Sequence, residues 1–455
     1  MKENYSKIGE SQIKLLNLSR NYCANASSFG VDVAESSLCW LLNVPGVPSY
    51  FILKQIQENK KIGIKGIYCI LKNFVSASIL HNYKLFNNNI NLEKNFERLI
   101  ISFAKKDDFE IDGSYTDRYF SVNSRHDLRT MWFLLYVDDS IPIPKNIDKN
   151  IVIFCKANIK KKYNFFYLIK VLLKTIKQCK GSLIKIFHLC SRSSHLAKII
   201  SKAVIEIVKV RKFKTVLIAY EAQPFQNTIF KEIRKISSDI KLIGYLHSTQ
   251  SLPTFLIHRY GAPDLLLVHG STQIYHLNKY LNWPAEKLRL IPSLRYNKKD
   301  KFFLSNTLVL PSGISFEETL IKQFKFFLDG VEEHSLKPFV IKNHPFTIEP
   351  KIEKRFINNL NKVLLEYSNR FSNKAEKDVS VFFGGTSSIL EALESGLTVI
   401  HICGDMILES YSEALWPSIK VSQINENMLT YSLRSYGKCI NFGVGNNSFE
   451  KHCNL

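Results

Sequence analysis

Two short segments in the C-terminal half combine residue types that bind phosphate. The first, GGTSS at 384–388, follows the apolar run VSVFF and precedes the helical pattern ILEALE. Glycine lets a ligand approach the backbone closely, and the first turn of a helix offers unpaired N–H groups at the positive end of its dipole. Hydroxyl groups donate to phosphate oxygens as well. We therefore predict a phosphate site at Gly385, Thr386, Ser387 and Ser388. The structural alternative is a serine N-cap with Glu391 closing a capping box.

The second segment, FVIKNHPFT at 339–347, ends an apolar run on His344 and Pro345. Proline lacks the N–H that would continue a sheet, and its ring fixes the turn that directs the histidine. A protonated imidazole donates a charge-assisted hydrogen bond to phosphate. We predict that His344 and Pro345 face the same anion as the seryl turn. A structural histidine with its hydrogen bonds satisfied is the alternative.

Two further strand ends carry groups suited to proton transfer. Glu221 follows the apolar run TVLIAY, and His247 ends the run KLIGYLH. We expect desolvation to raise the pKa of Glu221 to a useful value, so that it takes a proton from a substrate hydroxyl or, in a double displacement, attacks the reacting carbon itself. We expect His247 to be a second base or an acceptor contact. A structural glutamate paired with a lysine, or capping a helix, is the alternative.

The segment LPSGISFEET at 310–319 predicts a strand, a Ser-Gly turn and a helix start. Ser312 and Gly313 would approach a nucleotide there, and Glu317 would accept a hydrogen bond from its ribose or base; an ordinary acidic helix N-terminus is the alternative. The C-terminal half has no D-x-D at a strand end, and the strand-end histidines lack metal-ligand spacing. We expect neither a metal nor a cofactor beyond a nucleotide-linked substrate.

The elements that position these residues are those of an α/β protein. Apolar runs alternate with helical patterns from about residue 150 and again after the polar hinge RYNKKDKFF at 295–303. We predict two Rossmann-like, doubly wound domains, at 1–298 and 299–435, followed by a tail at 436–455. Ligands of such sheets bind beyond the carboxyl ends of the strands, so the polar strand ends would line one interdomain cleft. Residues 1–150 are less patterned, with helix-like stretches around 10–20 and 92–105 and a strand-like TMWFLLYV.

Composition sets limits on partners and location. The 455 residues carry 62 Lys and Arg against 40 Asp and Glu, a formal charge of +22, which suits an anionic partner or reflects compositional drift. Nine cysteines without a C-x-x-C pattern, and no apolar run long enough to span a bilayer, favour a cytoplasmic protein. Residues 156–185 hold nine lysines and no acid, which predicts peripheral contact with the inner face of a membrane or a solvated helix.

The HP turn followed by the SS turn resembles the donor-binding pair of bacterial GT-B glycosyltransferases that use CMP-activated sugars, the sialyl- and Kdo-transferases among them. The resemblance implies that His344, Ser387 and Ser388 hold the phosphate of the donor. The block at roughly 210–400 is also similar to putative glycosyltransferases of bacterial surface carbohydrate synthesis. One departure concerns the general base, because Glu221 lacks the acidic neighbour and glycine of the sialyltransferases, and the Asp-Gly in IDGSY is more typical of a turn.

These patterns together predict a metal-independent glycosyltransferase that moves a sugar, linked through CMP, to a surface polysaccharide, such as capsule or lipopolysaccharide, or to a lipid-linked glycan. Two other enzymes stay open, a CDP-glycerol or CDP-ribitol phosphotransferase and a sugar-nucleotide epimerase. A basic nucleic-acid-binding protein is the non-enzymatic alternative, although the chain carries no recognisable DNA- or RNA-binding motif. We expect no nucleic-acid partner.

Overall fold

The computed structural model describes about three quarters of the chain. It covers residues 2–28, 79–80, 83–86, 96–126, 128–136, 146–156, 192–248, 250–296, 304–344, 347, 349–376 and 378–443, with a few isolated positions outside these ranges. The described strands form two large sheets, each with a parallel core, and two short antiparallel pairs, Ile79–Leu80 (β1) with Lys162–Tyr163 (β8) and Thr116–Asp117 (β4) with Val122–Asn123 (β5).

The first sheet has eight strands in the order β12-β11-β10-β9-β3-β6-β7-β2, and only the edge strand β2 is antiparallel to its neighbour. The strands are Tyr83–Phe86 (β2), Arg98–Ala104 (β3), Thr130–Tyr136 (β6), Ile151–Lys156 (β7), Thr215–Ala219 (β9), Lys241–Tyr245 (β10), Leu265–Val268 (β11) and Leu288–Leu290 (β12). The chain order reverses between β3 and β9. Such a switch point opens a crevice at the carboxyl ends of the two strands.

The central strands of this sheet are continuous apolar runs because helices and loops cover both faces. All residues of β6 and β9 are buried, and two helices, Arg192–Val210 (α2) and Pro224–Ile236 (α3), pack together on the sheet. Residues 224–231 of α3 are all buried, so the first two turns of this helix are packed on every side, and Pro224 begins the helix because its missing N–H costs nothing at that position. A further helix, Ser271–Leu281 (α4), follows β11.

The second sheet has six strands in the order β14-β13-β15-β16-β18-β17, of which the first four are parallel. They are Thr307–Val309 (β13), Val340–Lys342 (β14), Val379–Phe383 (β15), Thr398–Ile402 (β16), Ile419–Asn425 (β17) and Met428–Leu433 (β18). The helices are Glu317–Asp329 (α5), Pro350–Glu366 (α6), Ser388–Glu394 (α7) and Met406–Glu409 (α8). Here the switch point lies between β13 and β15.

The prediction of an α/β protein with two mostly parallel sheets is confirmed. The runs expected as strands from NIVIFCK onward form β7, β9 to β12 and β13 to β16, except LIKIFHLC at 183–190, which lies outside the described residues. The helix-like stretch at 10–20 belongs to Lys2–Ser28 (α1). The helix expected at 92–105 is wrong, because Arg98–Ala104 is the strand β3, buried between β6 and β9. Burial on both faces outweighed the helix propensity of that segment.

The two units share packed side chains. The indole N–H of Trp416 donates to the Ser251 carbonyl at 3.0 Å, and the Ser251 hydroxyl donates to the Leu408 carbonyl at 3.0 Å. The ring of His276 on α4 packs edge-on against Trp416, with 4.7 Å between ring centroids. From α1, the Gln12 amide donates to the carbonyls of Ile407 and Ser410. One apolar cluster therefore runs from the first sheet into the second.

The segment after β18 returns to the first unit. Glu394 on α7 accepts hydrogen bonds from the backbone N–H groups of Gly437, Cys439 and Ile440. The N–H of Asn441 then donates to the His269 carbonyl at 2.6 Å, at the end of β11. This crossing ties α7 of the second unit to the carboxyl edge of the first sheet.

Candidate functional site

The side chains of Glu221 and His247 meet at the carboxyl edge of the first sheet. They follow the adjacent strands β9 and β10, and His247 Nε2 lies 3.0 Å from Glu221 Oε1. The Ser248 hydroxyl donates to the same oxygen at 3.2 Å, and the Gln223 amide donates to Oε2 at 3.0 Å. The structure thus brings together the two residues that the sequence predicts for proton transfer, next to the switch point of the sheet.

The electrostatics of Glu221 differ from the prediction. Burial does raise the pKa of its carboxyl, as expected, but the charge and hydrogen bond of His247 and the hydrogen bonds from Gln223 and Ser248 outweigh it and lower the pKa to about 2. The expected rise is therefore wrong in sign, because neighbouring donors stabilise the ionised form. A carboxylate with this pKa is a weak base by itself.

His247 is almost fully buried and holds one ring nitrogen without a partner. Its Nε2 serves Glu221, whereas Nδ1 is buried without a hydrogen bond to any residue that the structure describes. The ring of Tyr119 packs on it, with 4.3 Å between the ring centroids. Tyr119 comes from the loop between β4 and β5, and the buried carboxylate of Asp117 holds that loop by accepting hydrogen bonds from the backbone N–H groups of Tyr119 and Phe120 at 2.7 Å each. A buried nitrogen without a hydrogen-bond partner needs an explanation, and a hydrogen bond with a substrate hydroxyl would provide it.

Arg295 is a residue of the site that the sequence did not indicate. It lies in the turn after β12, where the Ser293 hydroxyl accepts from the N–H groups of Arg295 and Tyr296 at 3.2 and 2.9 Å. Its guanidinium group stacks on Tyr296 and on Tyr119, with the charge centre 5.0 and 5.9 Å from the ring centroids. No hydrogen bond or ion pair to this guanidinium is found among the described residues. A half-buried cation without a hydrogen-bonded anion favours a bound ligand that carries negative charge.

A second cation lies near Arg295 on the opposite sheet. Lys342 is the last residue of β14, and burial lowers its pKa to about 8, with Glu391 opposing the fall and the charge of Arg295 adding to it. Glu391, on α7, also acts on Arg295 and on Tyr296. Lys342, Arg295 and Glu391 therefore share one electrostatic environment between the two sheets. With a pKa of about 8, Lys342 is mostly charged at neutral pH, and negative charge from a bound ligand would raise its pKa further.

The Gly384–Ser388 turn lies at the carboxyl end of β15, as predicted. Gly384 has φ +60, and a Cβ there would lie 3.2 Å from Pro311, so the fold itself requires glycine at 384. At Gly385 a Cβ would meet only Glu409, at 3.7 Å or more, and φ is not positive. The fold therefore has no need of glycine at 385, whereas a ligand that approaches the backbone would.

The seryl residues do not cap the helix as the structural alternative requires. Ser387 precedes α7, and its hydroxyl makes no capping hydrogen bond. Instead its side chain reaches Tyr296 across the cleft, where burial raises the tyrosine pKa and the hydrogen bond from Ser387 lowers it. Thr386 is buried, and its hydroxyl accepts from the N–H of Ser388 at 3.3 Å. Because α7 has only seven residues, its dipole contributes less to anion binding than the expected longer helix would.

His344 lies at the same edge of the sheet but not beside the serines. It is half-buried and follows β14, whereas β13 separates β14 from β15 in the sheet. Two strand spacings, about 10 Å, therefore separate the two turns at the backbone level. Pro345 lies outside the described residues. The joint contact of His344 and the serines with one phosphate stays a prediction.

Of the three residues predicted in the 310–319 segment, two lie between these turns. Ser312 and Gly313 follow β13, at the switch point of the second sheet, and are partly buried. Glu317 begins α5 and turns toward α6, where it accepts hydrogen bonds from the Arg355 guanidinium and, at 2.9 Å, from the Asn359 amide. These contacts fasten α5 to α6. They give Glu317 a structural role, and its contact with a nucleotide stays a prediction.

The part of the chain that the structure describes holds no cluster of three or more histidine, cysteine, aspartate or glutamate residues arranged to hold a metal ion. Within the same residues no helix is long and apolar enough to cross a membrane. The basic segment 156–185 lies almost entirely outside the described residues, so its predicted membrane contact stays a prediction.

Comparison of the chain with protein-family models and with curated proteins finds no match. Among solved structures, an alpha,alpha-trehalose 6-phosphate synthase from Burkholderia multivorans is similar at TM-score 0.31 and 11% identity, over 62% of this chain and 70% of that one. A glycosyltransferase from Rickettsia africae is similar at TM-score 0.31 and 9% identity, over 68% and 79%. At this degree of similarity neither structure assigns a function to this chain.

Proposed function

We propose that this protein is a glycosyltransferase that moves a sugar from a nucleotide donor to a hydroxyl group of a glycan acceptor. The observation that carries the proposal is the guanidinium of Arg295, which has no hydrogen-bonded partner among the described residues and lies near the rings of Tyr119 and Tyr296 where the two units meet. Lys342, the Ser387 hydroxyl and the Gly384–Ser388 turn approach the same cleft. Two cations, a hydroxyl and a glycine turn suit the phosphate of a nucleotide sugar.

The cationic groups would act on the leaving phosphate. As the bond between the sugar and the phosphate breaks, negative charge grows on the phosphate oxygens, and Arg295 and Lys342 stabilise it without reorganisation because packing already fixes the guanidinium. In this proposal the two cations supply the positive charge that a divalent metal would otherwise provide. His344, Ser312 and Gly313 lie at the same edge and complete the proposed donor site.

The Glu221–His247 pair would act on the acceptor. The low pKa of Glu221 keeps it ionised, so it orients the imidazole through Nε2 and stabilises the positive charge that the imidazole gains. With Nε2 bonded to Glu221, the ring offers Nδ1 as the atom that takes the hydroxyl proton. Tyr119 packs on the ring, and the acceptor sugar would displace or contact it. The pair, and not Glu221 alone, is the proton acceptor in this proposal.

The finer parts of the proposal follow the resemblance. A CMP-linked sugar is the expected donor, and a surface polysaccharide or lipid-linked glycan at the inner face of the membrane is the expected acceptor. The test is to incubate the purified protein with CMP-, UDP- and GDP-sugars and glycan acceptors, and to identify products by mass spectrometry. CDP-glycerol in the same assay tests the phosphotransferase alternative. If no nucleotide sugar is consumed with any acceptor, the proposal is wrong.

A further inference from the structure

Phe316 is an exposed aromatic residue in a backbone conformation that its side chain disfavours. It precedes α5 with φ 58 and ψ 42, in the left-handed region, and its relative exposure is 55%. A bulky residue in this region is an outlier, and glycine, asparagine or aspartate would occupy it at lower cost. Its side chain caps no helix N–H group, and a half-exposed ring contributes little to a core. The fold alone does not explain a phenyl ring at this position.

The ring lies at the carboxyl edge of the second sheet, across the end of β15. A Cβ on Gly404 would lie only 2.8 Å from Phe316 Cδ2 and 3.2 Å from the Ser315 carbonyl oxygen. Gly404 follows β16, whereas Phe316 follows β13, and β15 lies between these two strands. The 312–316 segment therefore passes over the end of β15 to reach Gly404.

The neighbours of Gly404 connect this ring to the glycine turn. The N–H of Gly404 donates to Glu409 Oε2 at 2.7 Å, and the side chain of Glu409 lies next to Gly384 and Gly385. Pro311, at the start of the same loop, packs on Gly384. Phe316, Gly404, Glu409 and the turn thus form one continuous wall beside the proposed phosphate site. The face of the ring that is not against Gly404 remains accessible.

We infer that the exposed face of Phe316 is the platform on which the base of the nucleotide donor stacks. This inference rests on the proposed function, because it assigns the base to the site whose phosphate end lies near Arg295. An aromatic ring attracts any base through its π-face, and loss of such a contact typically weakens binding by about tenfold or more. Backbone strain that is retained at one aromatic residue is typical of a ligand contact.

A comparison of ligands with and without a base gives the test. Binding of CMP and UMP, and of ribose 5-phosphate, which has no base, is measured by calorimetry on the full chain. Phe316→Ala is expected to weaken nucleotide binding about tenfold and to leave ribose 5-phosphate binding unchanged, whereas Phe316→Tyr keeps both. Phe326→Ala is the matched control, because Phe326 is similarly exposed, at 52%, but lies in the groove between α5 and α6.

A second variant separates binding from folding. Phe316→Asn relieves the left-handed strain and should raise the melting temperature while it weakens nucleotide binding as much as Phe316→Ala. The base platform is rejected, and the proposed function stands, if Phe316→Ala binds CMP as tightly as the wild type does. The same holds if its affinity for ribose 5-phosphate falls as much as its affinity for CMP. If the wild type binds neither the nucleotides nor ribose 5-phosphate, both proposals are overturned.

Discussion

Glu221 Oε1 and His247 Nε2 lie 3.0 Å apart at the ends of two adjacent parallel strands. The Gln223 amide holds the other carboxylate oxygen at 3.0 Å, so both oxygens of Glu221 have donors. A carboxylate that is fixed in this way can orient an imidazole and balance its charge, as in a Ser-His-Asp triad. The pair lies beside the switch point of the first sheet, where a substrate of such a fold binds.

Replacement of Glu221 or His247 should slow sugar transfer strongly and leave donor binding unchanged. We expect Glu221→Gln and His247→Gln each to lower kcat by about 100-fold or more, the usual contribution of a positioned acid or base. Gln223→Ala, which removes one donor to the same carboxylate, should lower kcat much less. The measurement is kcat at saturating donor, with nucleotide affinity from calorimetry as the control. Equal kcat in wild type and Glu221→Gln contradicts the role of the pair.

Mild acid should destabilise the fold before it protonates most carboxylates. Burial lowers the pKa of four histidines, to about 4 for His258 and His401 and about 3 for His269 and His276, against 6.5 when unfolded. At a pH between the folded and the unfolded pKa values, the unfolded chain binds more protons than the folded chain. The stability that these neutral rings contribute is therefore fully present above pH about 6.5 and is lost as the pH falls toward 3. Burial raises the pKa of Glu409 to about 7, which acts in the opposite direction.

Urea unfolding at pH 7.5 and at pH 5 measures this effect. We expect a clear fall in the free energy of unfolding at pH 5, and His276→Phe should reduce the size of that fall because it removes one titrating ring beside Trp416. Stability that is equal at the two pH values would mean that these rings are not buried in neutral form.

The two neighbouring glycines should respond differently to alanine. In Gly384→Ala the alanine must adopt a left-handed backbone conformation, and its Cβ would lie 3.2 Å from Pro311. We therefore expect a loss of about 1–2 kcal/mol or more in the free energy of unfolding. Gly437→Ala, with φ +76 and open space around it, controls for the strain alone. Gly385→Ala should leave stability unchanged and weaken nucleotide binding, because only a ligand needs the space there. If Gly385→Ala binds CMP normally, close approach of the ligand at this residue is excluded.

The sequence predicts the sheets well because their strands are continuous apolar runs, as in TVLIA and VSVFF. It fails at β3, where glutamate and lysine precede the strand RLIISFA and imitate a helix. The pKa of Glu221 could not be predicted, since it depends on His247 and Ser248, which lie more than 25 residues away. Arg295 and Tyr119 lie in loops without a motif, and only the tertiary structure shows that the two side chains meet. The one feature of the sequence that could have indicated Arg295 is its position shortly after an apolar run.

Nucleotide affinity with and without the Arg295 guanidinium tests the central claim most directly. Arg289, exposed on the preceding strand β12, is the matched control for the loss of one positive charge. We predict that CMP or CDP binds to the wild type and to Arg289→Ala with equal affinity, and that Arg295→Ala binds at least tenfold more weakly, as expected for lost charge-assisted hydrogen bonds. Equal affinity of Arg295→Ala and the wild type would contradict the assignment of this cleft to a nucleotide phosphate.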